Sequence, residues 1–287
     1  MPILEWVITP LSYGFMQRGL AASVMVGVLC AVVGCYIILR SMAFLGDALA
    51  HGILPGVAVA YLLQGSLIIG ALVAAVAVAL GIGLLSRHGT IREDTAIGIL
   101  FAASLSLGVL LISTIRTYAV DLTHILFGNV LGVSSADLWL TAGLGVLVLA
   151  VIALLYKEFL VISFDPVHAA TLRLPATLLH NVLLVLLAFT IVVSLQTVGV
   201  GLVAAMLVTP SATAYLLTRR LPAMMALSAA LGAFASIAGL YLSFYFNVAS
   251  GAAVVLTATG IFLLVFLFAP HRGVVWQRAI RQPSPGR

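Results

Sequence analysis

The stretch F-L-G-D-A-L-A-H-G-I-L-P-G, residues 44–56, sets an acid and a histidine inside an otherwise apolar run. Asp47 and His51 are four apart, so on a helix their side chains project from one face, one turn above the other. The remaining acids and histidines lie at the edges of apolar runs or between them. Polar residues at membrane depth are costly, and they usually mark the path of an ion or a substrate.

The composition says what kind of chain surrounds that pair. Of its 287 residues 63% are hydrophobic and only 7% are charged, with a mean hydropathy of +1.28. A soluble domain carries about 25% charged residues, so the chain reads as an integral membrane protein with little room for a soluble domain. Its net charge of +5 sits in short loops, where basic residues set topology, so nucleic acid is not an expected partner. Cys30 and Cys35 share the first apolar run at a spacing that makes neither a redox pair nor a zinc knuckle. They read as buried apolar fillers. The N-terminus lacks the basic region and cleavage site of a secretory signal, so the first apolar run is expected to stay in the mature protein.

Apolar runs cover residues 15–39, 43–63, 67–86, 96–114, 138–156, 178–195, 200–217, 224–246 and 252–269. Each approaches the roughly 20 residues that a helix needs to cross the hydrocarbon. The expected fold is therefore an all-α, polytopic integral membrane protein with about nine transmembrane helices, eight being possible. Three parts are expected: an interfacial N-terminal segment (1–14), a transmembrane domain (15–270) and a cytoplasmic C-terminal tail (271–287). With the tail inside and the sides alternating, only Arg18 and Arg116 of the 13 basic residues fall outside. That positive-inside bias favours nine spans with the N-terminus outside.

Two connections are longer than a turn. The outer one, 115–137, carries Asp121 and His124, three apart. They are either a second metal-ligating pair at the outer mouth or a solvated acid and a surface histidine. The inner one, 157–177, carries Asp165 as a potential N-cap and Pro166 at the first helical position. This predicts a short helix ending before Leu174–Pro175, exposed at the inner face as a docking element. Pro210, between Thr209 and Ser211, interrupts the seventh run. It either frees backbone carbonyls on a transport pathway or makes a plain packing kink.

Asp47 can merely cap the second span, leaving His51 as a core histidine. Capping, however, gives His51 no role. A carboxylate and a neutral imidazole four apart form a two-ligand face for a divalent cation, completed by water, backbone carbonyls or another residue. Oxygen with nitrogen suits manganese, iron(II) or zinc, and an incomplete ligand set favours release, which a transporter requires. Such a metal is transported cargo, and no permanently bound cofactor is expected. The chain has no G-x-x-x-x-G-K-[ST] phosphate loop and a single lysine, Lys157, so it does not hydrolyse ATP by itself. It has no H-E-x-x-H motif and assembles no catalytic constellation.

Four passages resemble the permease subunits of the ABC-3 family of importers for manganese, zinc and iron(II). Residues 39–58, L-R-S-M-A-F-L-G-D-A-L-A-H-G-I-L-P-G-V-A, are close to the family pattern R-x-M-[SA]-[YF]-x-G-D-x-[LI]-[AS]-H. Residues 121–133 carry D-L-x-x-x-L-F-G, residues 163–169 carry S-F-D-P-x-x-A, and residues 198–214 roughly fit V-G-x-x-L-V-x-x-M-L-x-x-P-x-A-x-A. One departure is Ser41, where many relatives carry a second arginine after the one matched by Arg40.

The resemblance implies a permease, itself non-catalytic, in an ATP-driven importer in the inner (cytoplasmic) membrane. Its implied partners are an ATP-binding subunit, an extracytoplasmic metal-binding protein and a second permease, usually a copy of itself. It implies that Asp47 and His51 coordinate the cation, with manganese favoured. Residues 121–128 would lie near the outer mouth, where the delivery protein docks. Ser163, Phe164, Asp165, Pro166 and Arg173 would belong to a cytoplasmic coupling helix that meets the ATPase. The alternative from another class is a self-sufficient, proton-coupled secondary metal transporter, in which that helix is an idle loop.

Overall fold

A computed structural model describes residues 8–87, 91–114, 132–164, 169 and 171–269. The helices, in chain order, are α1 (Gly14–Leu39), α2 (Leu45–Gly52), α3 (Leu54–Leu62), α4 (Leu67–Ser86), α5 (Glu93–Ser113), α6 (Ser135–Leu154), α7 (Tyr156–Phe164), α8 (Ala176–Val198), α9 (Val200–Leu217), α10 (Leu221–Phe246) and α11 (Ser250–Phe268). Among the described residues, 9 helical segments are long and apolar enough to cross a bilayer, with α2 and α3 counting as one. The nine expected spans are all present. Helices dominate for a physical reason: in hydrocarbon every backbone N–H and C=O must be satisfied within the segment.

Helix α1 is the centre of the bundle. It packs against α9 and α10 on one side and against α6 and α8 on another. Close approach there depends on small residues. A Cβ on Gly34 would overlap the Leu207 carbonyl of α9, and one on Gly27 would meet Ser236 Oγ of α10 at 2.7 Å. Association of helices in a membrane rests on such packing and on interhelical hydrogen bonds. Both cysteines of α1 are fully buried, Cys30 with its Sγ 3.6 Å from Ser194 Oγ of α8.

The second span is broken. Its pieces, α2 and α3, meet at Ile53, and Pro55 lies in the first turn of α3. Pro55 has no N–H to reach back to the His51 carbonyl four residues earlier, so the ladder stops there. The Ile53 N–H turns to that carbonyl instead. Glycine on α5 makes room for the break, since a Cβ on Gly108 would meet Leu54 Cβ at 2.6 Å and Pro55 N at 3.2 Å.

The connection that spans residues 157–177 contains more helix than the sequence indicates. Residues Tyr156–Phe164 form α7, whose Phe159 and Ile162 are buried one turn apart. Phe159 meets Tyr36 of α1 edge-on at 5.7 Å. Further along, Arg173 takes the left-handed conformation, φ 53°, and the Leu174 N–H donates to the Ala169 carbonyl. That six-to-one bond across a left-handed residue closes a helical turn just before Leu174–Pro175, where the sequence places its end.

Candidate metal site

Asp47 is not the cap of its helix. The N-cap of α2 is Phe44, which makes no side-chain cap bond, and Asp47 lies in the first turn. Its carboxylate favours the positive end of the helix and remains available for other partners. His51 lies one turn on, and its Nε2 is 3.5 Å from Asp47 Oδ1. The two side chains are half-buried, Asp47 at 50% and His51 at 29% exposure. Neither is sealed in the core, so both can meet a passing ion.

The pair is held by packing on either side of it. Leu45, Gly46, Ala48, Leu49 and Ala50 are buried, which fixes α2 against α5, α8 and α9. The His51 ring stands edge-on to Phe101 of α5, with centroids 5.9 Å apart. Between α2 and α5 lies a cavity of about 210 Å³, lined by Phe44, Asp47, Ala48, Asp94, Ile97, Gly98 and Phe101. Asp47 therefore faces open space beside a second carboxylate, Asp94. In the sequence Asp94 is simply an acid just ahead of an apolar run.

A group of three or more potential metal-ligating side chains is absent among the described residues. Asp47 and His51 supply two ligands, so an ion held here needs water, backbone oxygen or another chain to complete its shell. That arrangement suits passage better than storage.

Other residues singled out in the sequence are placed differently. Ser211 is fully buried; its hydroxyl donates to the Ala31 carbonyl of α1 and lies 3.1 Å from Ser228 Oγ of α10. Pro210 is buried within a continuous α9, and the Thr209 carbonyl accepts from Thr213 Oγ1. None of the three lines the Asp47 cavity. Ser163 and Phe164 end α7, and Arg173 closes the turn before α8. Asp121, His124, Asp165 and Pro166 lie outside the described residues.

One cluster has no signature along the chain. Arg40 follows the last residue of α1, Glu93 opens α5 and His180 lies in the second turn of α8. Arg40 Nη2 donates to Glu93 Oε1 at 2.9 Å, and Arg40 Nη1 is 2.6 Å from His180 Nδ1. A guanidinium only donates, so Nδ1 accepts. Burial lowers the affinity of Arg40 for its proton, and the adjacent Glu93 carboxylate acts in the opposite direction. Contacts of 53 and 140 residues' separation leave no local pattern to read.

With the helices and the pair in view, comparison with known proteins is decisive. A match to the ABC 3 transport family covers residues 12–269. The chain belongs to the ABC 3 transport family. It is 51% identical over 265 residues to the manganese transport system membrane protein MntC of Halalkalibacterium halodurans, covering 92% of this chain and 91% of that protein. It is 38% identical to a probable iron transport system membrane protein of Haemophilus influenzae, over 94% of this chain and 99% of the relative. Among solved structures, PsaBC from Streptococcus pneumoniae in complex with Fab superposes with a TM-score of 0.84 at 40% identity, covering 96% of this chain and 99% of that chain. The family membership and the all-helical membrane fold thus rest on agreement across nearly the whole chain.

Proposed function

We propose that this member of the ABC 3 transport family is the permease subunit of an ATP-driven importer of divalent transition metal ions. Manganese is the first choice of cargo, with iron(II) and zinc as alternatives. The observation that carries the reading is the Asp47–His51 pair, half-exposed, with Asp47 on a cavity wall. It occurs in a chain half identical to a manganese transport system membrane protein.

In this reading Asp47 supplies charge and a hard oxygen, and His51 supplies neutral nitrogen. A second copy of the chain completes the ligand shell around a shared central path. Support comes from α5, which walls the cavity and whose span is only 17% covered within the chain. The outer segment with Asp121 and His124 receives the ion from an extracytoplasmic metal-binding protein. Residues 163–173, including Ser163, Phe164, Asp165, Pro166 and Arg173, dock on a separate ATP-binding subunit, where hydrolysis occurs. Closure of that partner shifts the spans between outward- and inward-facing states, so the metal never crosses bare lipid. The chain sits in the cytoplasmic membrane with its 271–287 tail inside and its 1–14 segment at the outer interface.

Uptake of radioactive manganese by cells expressing the importer tests this. Asp47→Ala and His51→Ala are each expected to reduce uptake by about tenfold or more, as loss of one of two ligands weakens a metal site. Deleting the ATP-binding partner is expected to abolish uptake. Uptake that persists without that partner would instead favour a proton-coupled secondary transporter. Unchanged uptake in both alanine variants would remove Asp47 and His51 from the path.

A further inference from the structure

The Arg40–Glu93–His180 cluster is not part of the metal site, yet each member adjoins an element that the transport cycle must move. Arg40 opens the turn that leads into α2; there Ser41 is left-handed, φ 58°, and the Met42 N–H donates to the Ile37 carbonyl, so the turn is stiff. Glu93 begins α5 one turn before Ile97 and two turns before Phe101, both on the cavity wall. His180 lies five residues after Pro175, where the proposed docking segment gives way to α8.

The cluster is also incomplete. Because Nδ1 accepts from Arg40, the proton of a neutral His180 ring sits on Nε2. That atom is buried and has no hydrogen-bond partner, while Glu93 Oε1 stands 3.7 Å away. A buried donor without an acceptor is costly, and a movement of α8 by less than about 1 Å would bring the pair within hydrogen-bonding distance. Two arrangements are therefore close to hand, with Glu93 held by Arg40 alone or by Arg40 and His180 together. The exposures are 14% for Arg40, 31% for Glu93 and 11% for His180. Simple anchoring is served as well by apolar packing of similar volume, whereas a shared carboxylate can change partners.

We propose that Arg40, Glu93 and His180 form a positioning clasp that couples displacement of the docking segment ahead of α8 to α2 and α5, the helices walling the Asp47 cavity. This inference rests on the importer reading above. The three residues touch neither cargo nor nucleotide; they transmit movement by making or breaking the His180–Glu93 bond.

The test uses the permease with its ATP-binding subunit and delivery protein in proteoliposomes, with manganese as the probe. For His180→Phe the expected result is ATP hydrolysis within about twofold of wild type and manganese transported per ATP lower by about tenfold, the scale of a typical coupling energy. Manganese binding without nucleotide stays unchanged. His180→Gln, which keeps an acceptor and a donor, restores most of the ratio. If hydrolysis, transport and binding fall together at a constant ratio, the cluster is only an anchor and the proposal is overturned. Should His180→Phe not assemble, Glu93→Gln, which keeps the side-chain shape, is read by the same ratio.

A wild-type assembly without ATP-dependent uptake would overturn the importer reading alone. The clasp is then judged by spin labels at Leu178 and Ile99, both exposed. Glu93→Ala should broaden their distance distribution, and an unchanged distribution would end the proposal.

Discussion

Two hydroxyl groups converge on one backbone oxygen: Ser211 and Ser228 both donate to the Ala31 carbonyl, at 2.8 and 3.0 Å. A helix interior already uses that carbonyl, so these bonds add interhelical adhesion at the α1–α9–α10 seam. Interhelical hydrogen bonds in membranes average about 0.6 kcal/mol. Ser211→Ala is therefore expected to lower the stability of the detergent-solubilised protein by about 0.5–1 kcal/mol, seen as a small drop in thermal midpoint, with manganese uptake within about twofold of wild type. A large loss of uptake at unchanged stability would instead place Thr209–Ser211 on the transport path. At this scale the sequence was legible where chemistry is local. Asp47 and His51 stand out because a spacing of four and an apolar background are visible along the chain. Arg40, Glu93 and His180 are not visible in that way, since each sits at or near the end of an apolar run, where a polar residue is ordinary, and only the fold brings them together. Asp94 was hidden for a similar reason: an acid at a helix start has a sufficient local explanation.

Among the elements, the broken second span does most to orient the pair. Pro55 ends the ladder after His51, and Gly108 of α5 leaves the space into which Leu54 and Pro55 fit. A side chain at Gly108 must push the break away from α5, and with it His51 and its edge contact to Phe101. Gly108→Leu is expected to cost about 1–3 kcal/mol through overpacking and to cut manganese uptake by more than about fivefold. Gly143 on α6 serves as the control, because nothing lies within 4 Å of a Cβ placed there. Gly143→Ala should leave uptake unchanged and add up to about 1 kcal/mol of helix propensity. Equal uptake in the two variants would show that the break does not position the site. The spans themselves were readable from hydropathy alone, because hydrocarbon demands long apolar helices whatever their packing. The break within one span and the extra helix Tyr156–Phe164 were harder to read. Both depend on contacts from elsewhere, Gly108 against Leu54 and Tyr36 against Phe159.

For the whole molecule, the arrangement that needs direct proof is the orientation in the bilayer, on which the placement of docking segment, clasp and outer mouth depends. Alternating nine spans from an inner tail puts the turns at Gly65 and Ala249 outside, and Arg92 and Arg219 inside. It also puts Arg40, Glu93 and His180 at one inner level, as their mutual contacts require. The native cysteines do not confuse a labelling experiment, since Cys30 and Cys35 are fully buried and out of reach of the reagent. Gly65→Cys and Ala249→Cys are accordingly expected to react with a membrane-impermeant maleimide added to intact cells. Arg92→Cys and Arg219→Cys should react only after the membrane is opened. These four positions are exposed turns or helix ends, so accessibility is decided by side, not by packing. A reversed pattern would turn the bundle over and move residues 163–173 to the outer face, where no ATP-binding subunit can reach them. A pattern reversed for only one pair would show that the chain changes its number of crossings between those sites, and the positive-inside bias would then have misled. The basic residues in the short turns argue for the expected result, because such charges resist translocation and fix which side each turn remains on.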